Sequence, residues 1–226
     1  MWLAMTIDWV FLDVGGIIFR DDSYFDGLYH AIAAAAPATT RDAYEARLAV
    51  LREAQAEPFS EALVEAFVAD PDRHPAVRAD ADERWAGRGH HPDELYPEAL
   101  DVLKELAGRY RLACITNHFS WVRDRAAEAG FADLVEVWAI SAEIGVGKPD
   151  AAIFEHALRA ARTGPDRAVM VGDRLDRDIK PTKALGLRTV WVLRNEAPPS
   201  PTQEQLAVPD AAVRTLDEVP PIVDRF

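Results

Sequence analysis

The chain has 226 residues, 49% of them hydrophobic and 28% charged, which suits a globular protein with one substantial core and room for an inserted subdomain. A formal net charge of −13 argues against nucleic acid or an anionic membrane as the main partner. One cysteine, Cys114, leaves no disulfide to form within the chain, and no run of 18 apolar residues offers a membrane span. The first residues carry no basic stretch followed by a long apolar one, and Asp8 interrupts them early, so a cytoplasmic protein is expected.

In chain order, residues 7–12 form an apolar run that ends at Asp13 and the glycines Gly15 and Gly16, which predicts a buried strand entering a sharp turn. Residues 20–96 are rich in alanine and charge and show helical spacing, as in Leu28, Ile32 and Ala35, then Tyr44, Leu48 and Leu51, then Leu63, Phe67 and Val68. Prolines at 37, 58, 71, 75 and 92 divide this stretch into several helices. From 97 onward helices and strands alternate: helix 97–108, strand 111–116, helix 119–129, strand 134–140, helix 150–161, strand 168–172, helix 178–185 and strand 188–193. A Pro-rich loop at 198–201 precedes a short strand expected near 211–214. Repeated strand–helix units predict an α/β fold with a doubly wound parallel sheet. The helical block of 20–92 is then an insertion between residues 1–19 and 93–226.

Residues able to do chemistry stand at the strand ends, where open α/β sheets place their ligand crevices. Asp13 offers a carboxylate that can attack an electrophile. Thr116 and Asn117 offer a hydroxyl and adjacent backbone N–H groups that can bind a transferring phosphoryl or carboxylate oxygen. Lys148, one of four lysines, lies in Gly-Val-Gly-Lys-Pro-Asp just before a helix, where an ammonium can neutralise a nucleophile and developing negative charge. Asp173 and Asp178, in Gly-Asp-Arg-Leu-Asp-Arg-Asp, are grouped carboxylates of the kind that hold a hard divalent ion. Asp176 between them reads as a solvated charge, and Cys114 as a small buried strand residue.

These four segments, in this order, resemble the motifs of the haloacid dehalogenase-like (HAD) hydrolase superfamily. The resemblance spans about residues 7–193. It implies a Rossmann-like core carrying the site and a helical cap inserted after the first strand. It further implies a hydrolase, namely a Mg²⁺-dependent phosphatase of small phosphorylated metabolites that acts through an aspartyl-phosphate on Asp13. Thr116, Asn117, Lys148 and Gly16 would bind the phosphoryl group. Asp13, Asp173 and the carbonyl of Gly15 would bind Mg²⁺, with Asp178 acting through water or orienting its neighbours. The expected partner is a small-molecule substrate, and the oligomeric state is left open.

One position departs from the pattern. Phosphatases of the family carry a second aspartate two residues after the nucleophile as general acid/base, and here that position is Gly15. Asp21, Asp22, His30 and His118 are the candidates for a borrowed acid/base, although His118 is expected as an exposed histidine at a helix start. Gly15→Asp is expected to raise the rate on poor leaving groups if space allows. Two other readings stay open: a 2-haloacid dehalogenase, whose halide leaving group needs no proton, and a binding or regulatory protein that has lost turnover. Within the helical block, Arg20, Tyr24, Phe25, Tyr29, Arg41 and Arg47 are the candidates for substrate contacts.

Overall fold

The computed structural model describes residues 6–55, 59–87, 91 and 94–226, so the boundary expected at 92/93 lies outside the described residues. Strand β1 (Trp9–Leu12) is buried along its whole length. Its side chains alternate between two cores: Trp9 and Phe11 pack with Ala113, Ile115 and Met170, and Val10 and Leu12 with Leu112, Cys114 and Val171. A strand covered on both faces has no polar side to show, hence the uninterrupted apolar run.

Four helices follow: α1 (Asp22–Ala35), α2 (Arg41–Ala54), α3 (Phe59–Phe67) and α4 (His74–Ala86). Their apolar faces form a separate core around Phe25, Leu28, Ile32, Tyr44, Leu48, Phe59, Leu63 and Val64. Thr40 caps α2 through a hydrogen bond from Ala43 N at 3.2 Å. The helical spacing read at Leu28 and Ile32, Tyr44, Leu48 and Leu51, and Leu63 thus marks the faces that α1, α2 and α3 turn toward this shared core.

The remaining elements are α5 (Ala99–Ala107), β2 (Arg111–Thr116), α6 (Val122–Glu128), β3 (Val135–Ile140), α7 (Ser141–Ile144), α8 (Ala151–Ala161), β4 (Ala168–Gly172), α9 (Lys180–Ala184), β5 (Arg188–Val192), α10 (Gln203–Leu206), β6 (Ala211–Val213) and α11 (Val219–Val223). The six strands form one parallel sheet in the order β3-β2-β1-β4-β5-β6. The fold is therefore an α/β, Rossmann-like parallel sheet with helices. No helix among the described residues is long and apolar enough to cross a membrane.

Two differences from the sequence expectation have local causes. The helix expected from 178 is preceded by a π-helical turn, Leu175–Ile179, and becomes α-helical only at Lys180. The Asp178 carboxylate accepts Arg174 N at 3.1 Å and so draws the preceding loop into that turn. The sequence also left α10 unassigned; a capping box between Thr202 and Gln205 starts it.

Candidate active site

Strand register brings the motifs together. Leu12 pairs with Cys114 on one side and with Val171 on the other. Asp13 therefore leaves the sheet beside Thr116 and Asp173, all three at the carboxyl edge of adjacent strands. Gly16 makes the turn possible. Its φ is +72°, and a Cβ there would run into the Asn195 amide and the Asp173 carboxylate.

Asp13, Thr116, Lys148, Asp173 and Asp178 are all buried. Lys148 Nζ lies 2.7 Å from Oδ1 of both Asp13 and Asp178. Burial disfavours its charge, but the two carboxylates outweigh that and hold its pKa above the ordinary lysine value. Burial raises Asp178 to about 6 despite Lys148. Burial, then Glu196, Asp178 and Asp13, pushes Asp173 well above the carboxylate range. Oxygens of Asp13, Asp173 and Asp178 lie within 4.8 Å of one another. Such a buried, all-oxygen group of carboxylates is of the kind that a hard divalent cation stabilises.

The site opens into a cavity of about 860 Å³. The sheet edge contributes Asp13, Gly15, Thr116, Asn117, Lys148 and Asp173, and the inserted helices contribute Tyr24, Ser60, Arg78 and Trp85. Of the six substrate-contact candidates in the helical block, only Tyr24 lines this cavity. Phe25 belongs to the helices' own core, and Arg41 pairs with Asp26 while lying 3.8 Å over the Tyr29 ring.

Several residues have other surroundings than expected. The Asn117 side chain clasps the Lys148 backbone, accepting its N–H at 2.7 Å and donating to its carbonyl at 2.8 Å, so it fixes the loop that carries the ammonium. The Gly16 N–H donates to Phe19 O at 2.7 Å and so serves the turn, and Gly16 does not line the cavity. Asp176 is not a solvated charge: it pairs with the fully buried Arg174. His118 is buried, with ring centroids 4.4 Å from Trp85 and 4.3 Å from Trp121. Burial depresses its pKa to about 3. Asp22 and His30 are largely exposed on α1.

Asp21, in contrast, is buried and lines the cavity. A Cβ built on Gly15 would lie 2.7 Å from both Asp21 carboxylate oxygens. The condition set on Gly15→Asp, that space be left for the new side chain, is therefore not met: Asp21 already fills it. Burial, then Glu196, Asp173 and Asp13, pushes the Asp21 carboxyl well above the usual range.

The supporting groups that sequence reasoning missed lie in two places. Arg194, Asn195 and Glu196 follow β5 at the same sheet edge, a position that could have signalled them. Arg194 Nε donates to Gly16 O at 2.9 Å and its guanidinium also reaches Ile17 O, which fixes the Asp13 turn. Asn195 Nδ2 donates to Asp173 at 2.9 Å and to Asp21 at 3.0 Å. The second place is Gln55, at the end of α2. It donates to Glu196 O at 2.6 Å and accepts Leu175 N at 3.0 Å, tying the helices to two loops of the sheet. No local pattern in the sequence announces it.

The sequence model of the haloacid dehalogenase-like hydrolase family matches residues 7–186. The chain is 39% identical over 163 residues to the phosphoserine phosphatase of Thermus thermophilus, a match covering 71% of this chain and 61% of the relative. It is 33% identical over 105 residues to a glyceraldehyde 3-phosphate phosphatase of Methanocaldococcus jannaschii, covering 45% of each. The matches thus span between under half and about three fifths of these relatives' lengths. In fold, the chain is similar to the Bacillus subtilis HAD hydrolase YfnB, solved bound to magnesium, with a TM-score of 0.74 at 17% identity over 97% of this chain and 99% of that one. With the Asp13 turn, the strand-end threonine, the buried lysine and the clustered aspartates on one sheet edge, and a family match across most of its length, the chain belongs to the haloacid dehalogenase-like hydrolases.

Proposed function

We propose that the protein is a Mg²⁺-dependent phosphatase of small phosphorylated metabolites, working through an aspartyl-phosphate on Asp13. The observation that carries this reading is the contact of Lys148 Nζ with Asp13 Oδ1 at 2.7 Å, beside the Asp173 and Asp178 carboxylates. A phosphoryl group arriving at a nucleophile held in that way meets a fixed cation. Thr116, at the end of β2, would donate to a phosphoryl oxygen in this reading, and Asn117 keeps the Lys148 loop in register. The relatives' names support small phosphorylated substrates, and so does the size of the cavity.

The carboxylate group fits Mg²⁺. Asp13, Asp173 and the Gly15 carbonyl would hold it, and Asp178, already engaged with Lys148 and Arg174 N, would orient the set. When bound, the ion neutralises charge on the phosphoryl oxygens. These same carboxylates disfavour the dehalogenase reading, since an anionic haloacid would meet a cluster of like charges without need of a metal.

Helices α1–α4, within residues 20–92, form the cap in this reading, and residues 1–19 with 93–226 the core. Closing the helices over the cavity would favour a small substrate and exclude bulk water from the site. A reducing cytoplasm accords with a single buried thiol whose pKa burial raises further.

The test is hydrolysis of para-nitrophenyl phosphate by purified protein, with Mg²⁺ and with EDTA, beside Asp13→Asn. Mg²⁺-dependent turnover that the variant loses is the expected result. Undiminished turnover by Asp13→Asn would overturn the covalent mechanism.

A further inference from the structure

We propose that Asp21 is the catalytic acid/base of this protein, its carboxyl occupying the space of the side chain that Gly15 lacks. The proposal rests on the phosphatase reading above.

Three observations carry it. The first is steric. A Cβ on residue 15 would stand 2.7 Å from each Asp21 oxygen and 3.1 Å from its carboxyl carbon. The Asp21 carboxyl therefore lies where the first atoms of a residue 15 side chain would reach, yet it arrives from six residues further along the chain. The second is the diversion of its side chain. Asp21 occupies the N-cap position of α1, where an aspartate ordinarily accepts a backbone N–H of the first turn. Here it makes no such cap bond. Its Oδ2 instead accepts Asn195 Nδ2 at 3.0 Å, and the same amide nitrogen donates to Asp173 Oδ2 at 2.9 Å. One amide, with two hydrogens, thus ties Asp21 to a site carboxylate at the end of the neighbouring strand β4. The third is location: Asp21 lines the same cavity as Asp13, Thr116 and Lys148.

Other candidates are engaged elsewhere. The Asp22 side chain is 83% exposed, and His30 lies 3.5 Å from Asp26 on the outer face of α1. His118 is packed among Trp85, Phe119 and Trp121. Glu196 pairs with Arg174, and Glu61 with Arg78.

The chemistry balances with water as the one co-reactant. A carboxylate oxygen of Asp13 forms a bond to phosphorus while the bond from phosphorus to the ester oxygen breaks. The electron pair goes to that oxygen, which takes the proton of the Asp21 carboxyl and leaves as the alcohol. The Asp21 carboxylate then takes a proton from water as the water oxygen bonds to phosphorus. The bond from phosphorus to Asp13 breaks, releasing phosphate and restoring both aspartates.

The experiment compares para-nitrophenyl phosphate, whose leaving group needs no proton, with glycerol 2-phosphate, whose leaving group does. The proteins are the wild type, Asp21→Asn, Asp21→Gly, and the swap that joins Asp21→Gly to Gly15→Asp. In Asp21→Asn, steady-state turnover of both esters should fall about 10²–10⁴-fold. Because the first step on the aryl ester needs no acid, that variant should still release a burst approaching one nitrophenolate per enzyme, with none from the alkyl ester. The swap should recover at least about tenfold of the alkyl rate over Asp21→Gly alone, since removing the Asp21 side chain clears the space beside residue 15. Unchanged turnover in Asp21→Asn, or an equal loss with no burst on the aryl ester, would overturn the role of Asp21. A wild type inert on both esters would instead overturn the phosphatase reading, and the proposal with it.

Discussion

Lys148 and Asp13 form an ion pair of 2.7 Å in which the lysine side chain is only 1% exposed. The same ammonium is the near partner of Asp178, which is wholly buried. Removing it leaves carboxylates facing one another with little water to screen them. Lys148→Met is therefore expected to destabilise the metal-free protein at neutral pH by about 3–5 kcal/mol, read from urea unfolding. It should also lower any turnover by at least about 10²-fold.

Magnesium should be linked to folding as well as to activity. If the buried carboxylates of Asp13, Asp173 and Asp178 gather around a cation, the folded state alone binds it. At a concentration of about 100 times the dissociation constant, the gain is about 2.7 kcal/mol, visible as a rise in the melting midpoint that EDTA reverses. Asp173→Asn should lose most of that rise, and a variant that keeps all of it would place the ion elsewhere.

Gln55 should set how firmly the inserted helices sit on the sheet. Its side chain bonds Glu196 O and Leu175 N, and its φ of 48° lies in the left-handed region. Gln55→Gly removes the two hydrogen bonds without adding backbone strain at that φ. The expected result is a rise in KM of about tenfold with kcat nearly unchanged, corresponding to about 1.4 kcal/mol of lost contact. A fall in kcat alone would count against this role.

His118 should leave a mark on acid stability. Its pKa is depressed to about 3 in the folded chain, against an ordinary value near 6.5. Between those values the unfolded chain binds a proton that the folded one refuses, so stability is full above about pH 6.5 and declines as the pH falls. The slope from this residue approaches about 1.4 kcal/mol per pH unit. The stability of wild type minus that of His118→Phe, read from denaturant midpoints between pH 4 and 8, should fall steadily toward the acid end, as the variant lacks this loss.

Much of this architecture is legible in the linear chain for one reason: in a parallel sheet buried on both faces, an apolar run ends where the crevice begins. Asp13, Thr116 and Asp173 each follow such a run, and the register of β1 with its neighbours brings them to one edge. Lys148 was readable from its rarity and its place before α8. What stayed hidden depends on contacts between distant segments. Asp21 looks like an ordinary helix cap in sequence, and only Asn195, 174 residues later, shows where its side chain turns. His118 looks exposed because Phe-Ser-Trp after it suggests a helix start, whereas Trp85 from α4 closes over its ring. Asp176 looks solvated because its partner Arg174 is buried by Glu196 and by Phe59, which lies 4.6 Å beneath the guanidinium.

The placement of Arg194, Asn195 and Glu196 bears on how the chain can be divided. The family match ends at residue 186, and every motif that identifies the chain falls inside it. Yet the groups that brace the Asp13 turn, tether Asp173 and receive Gln55 all lie after that point. A fragment cut at 186 would carry all the recognisable signatures and none of these braces. Supplying the segment from 187 onward as a separate peptide would then be a route to reassembling the site from two inert pieces.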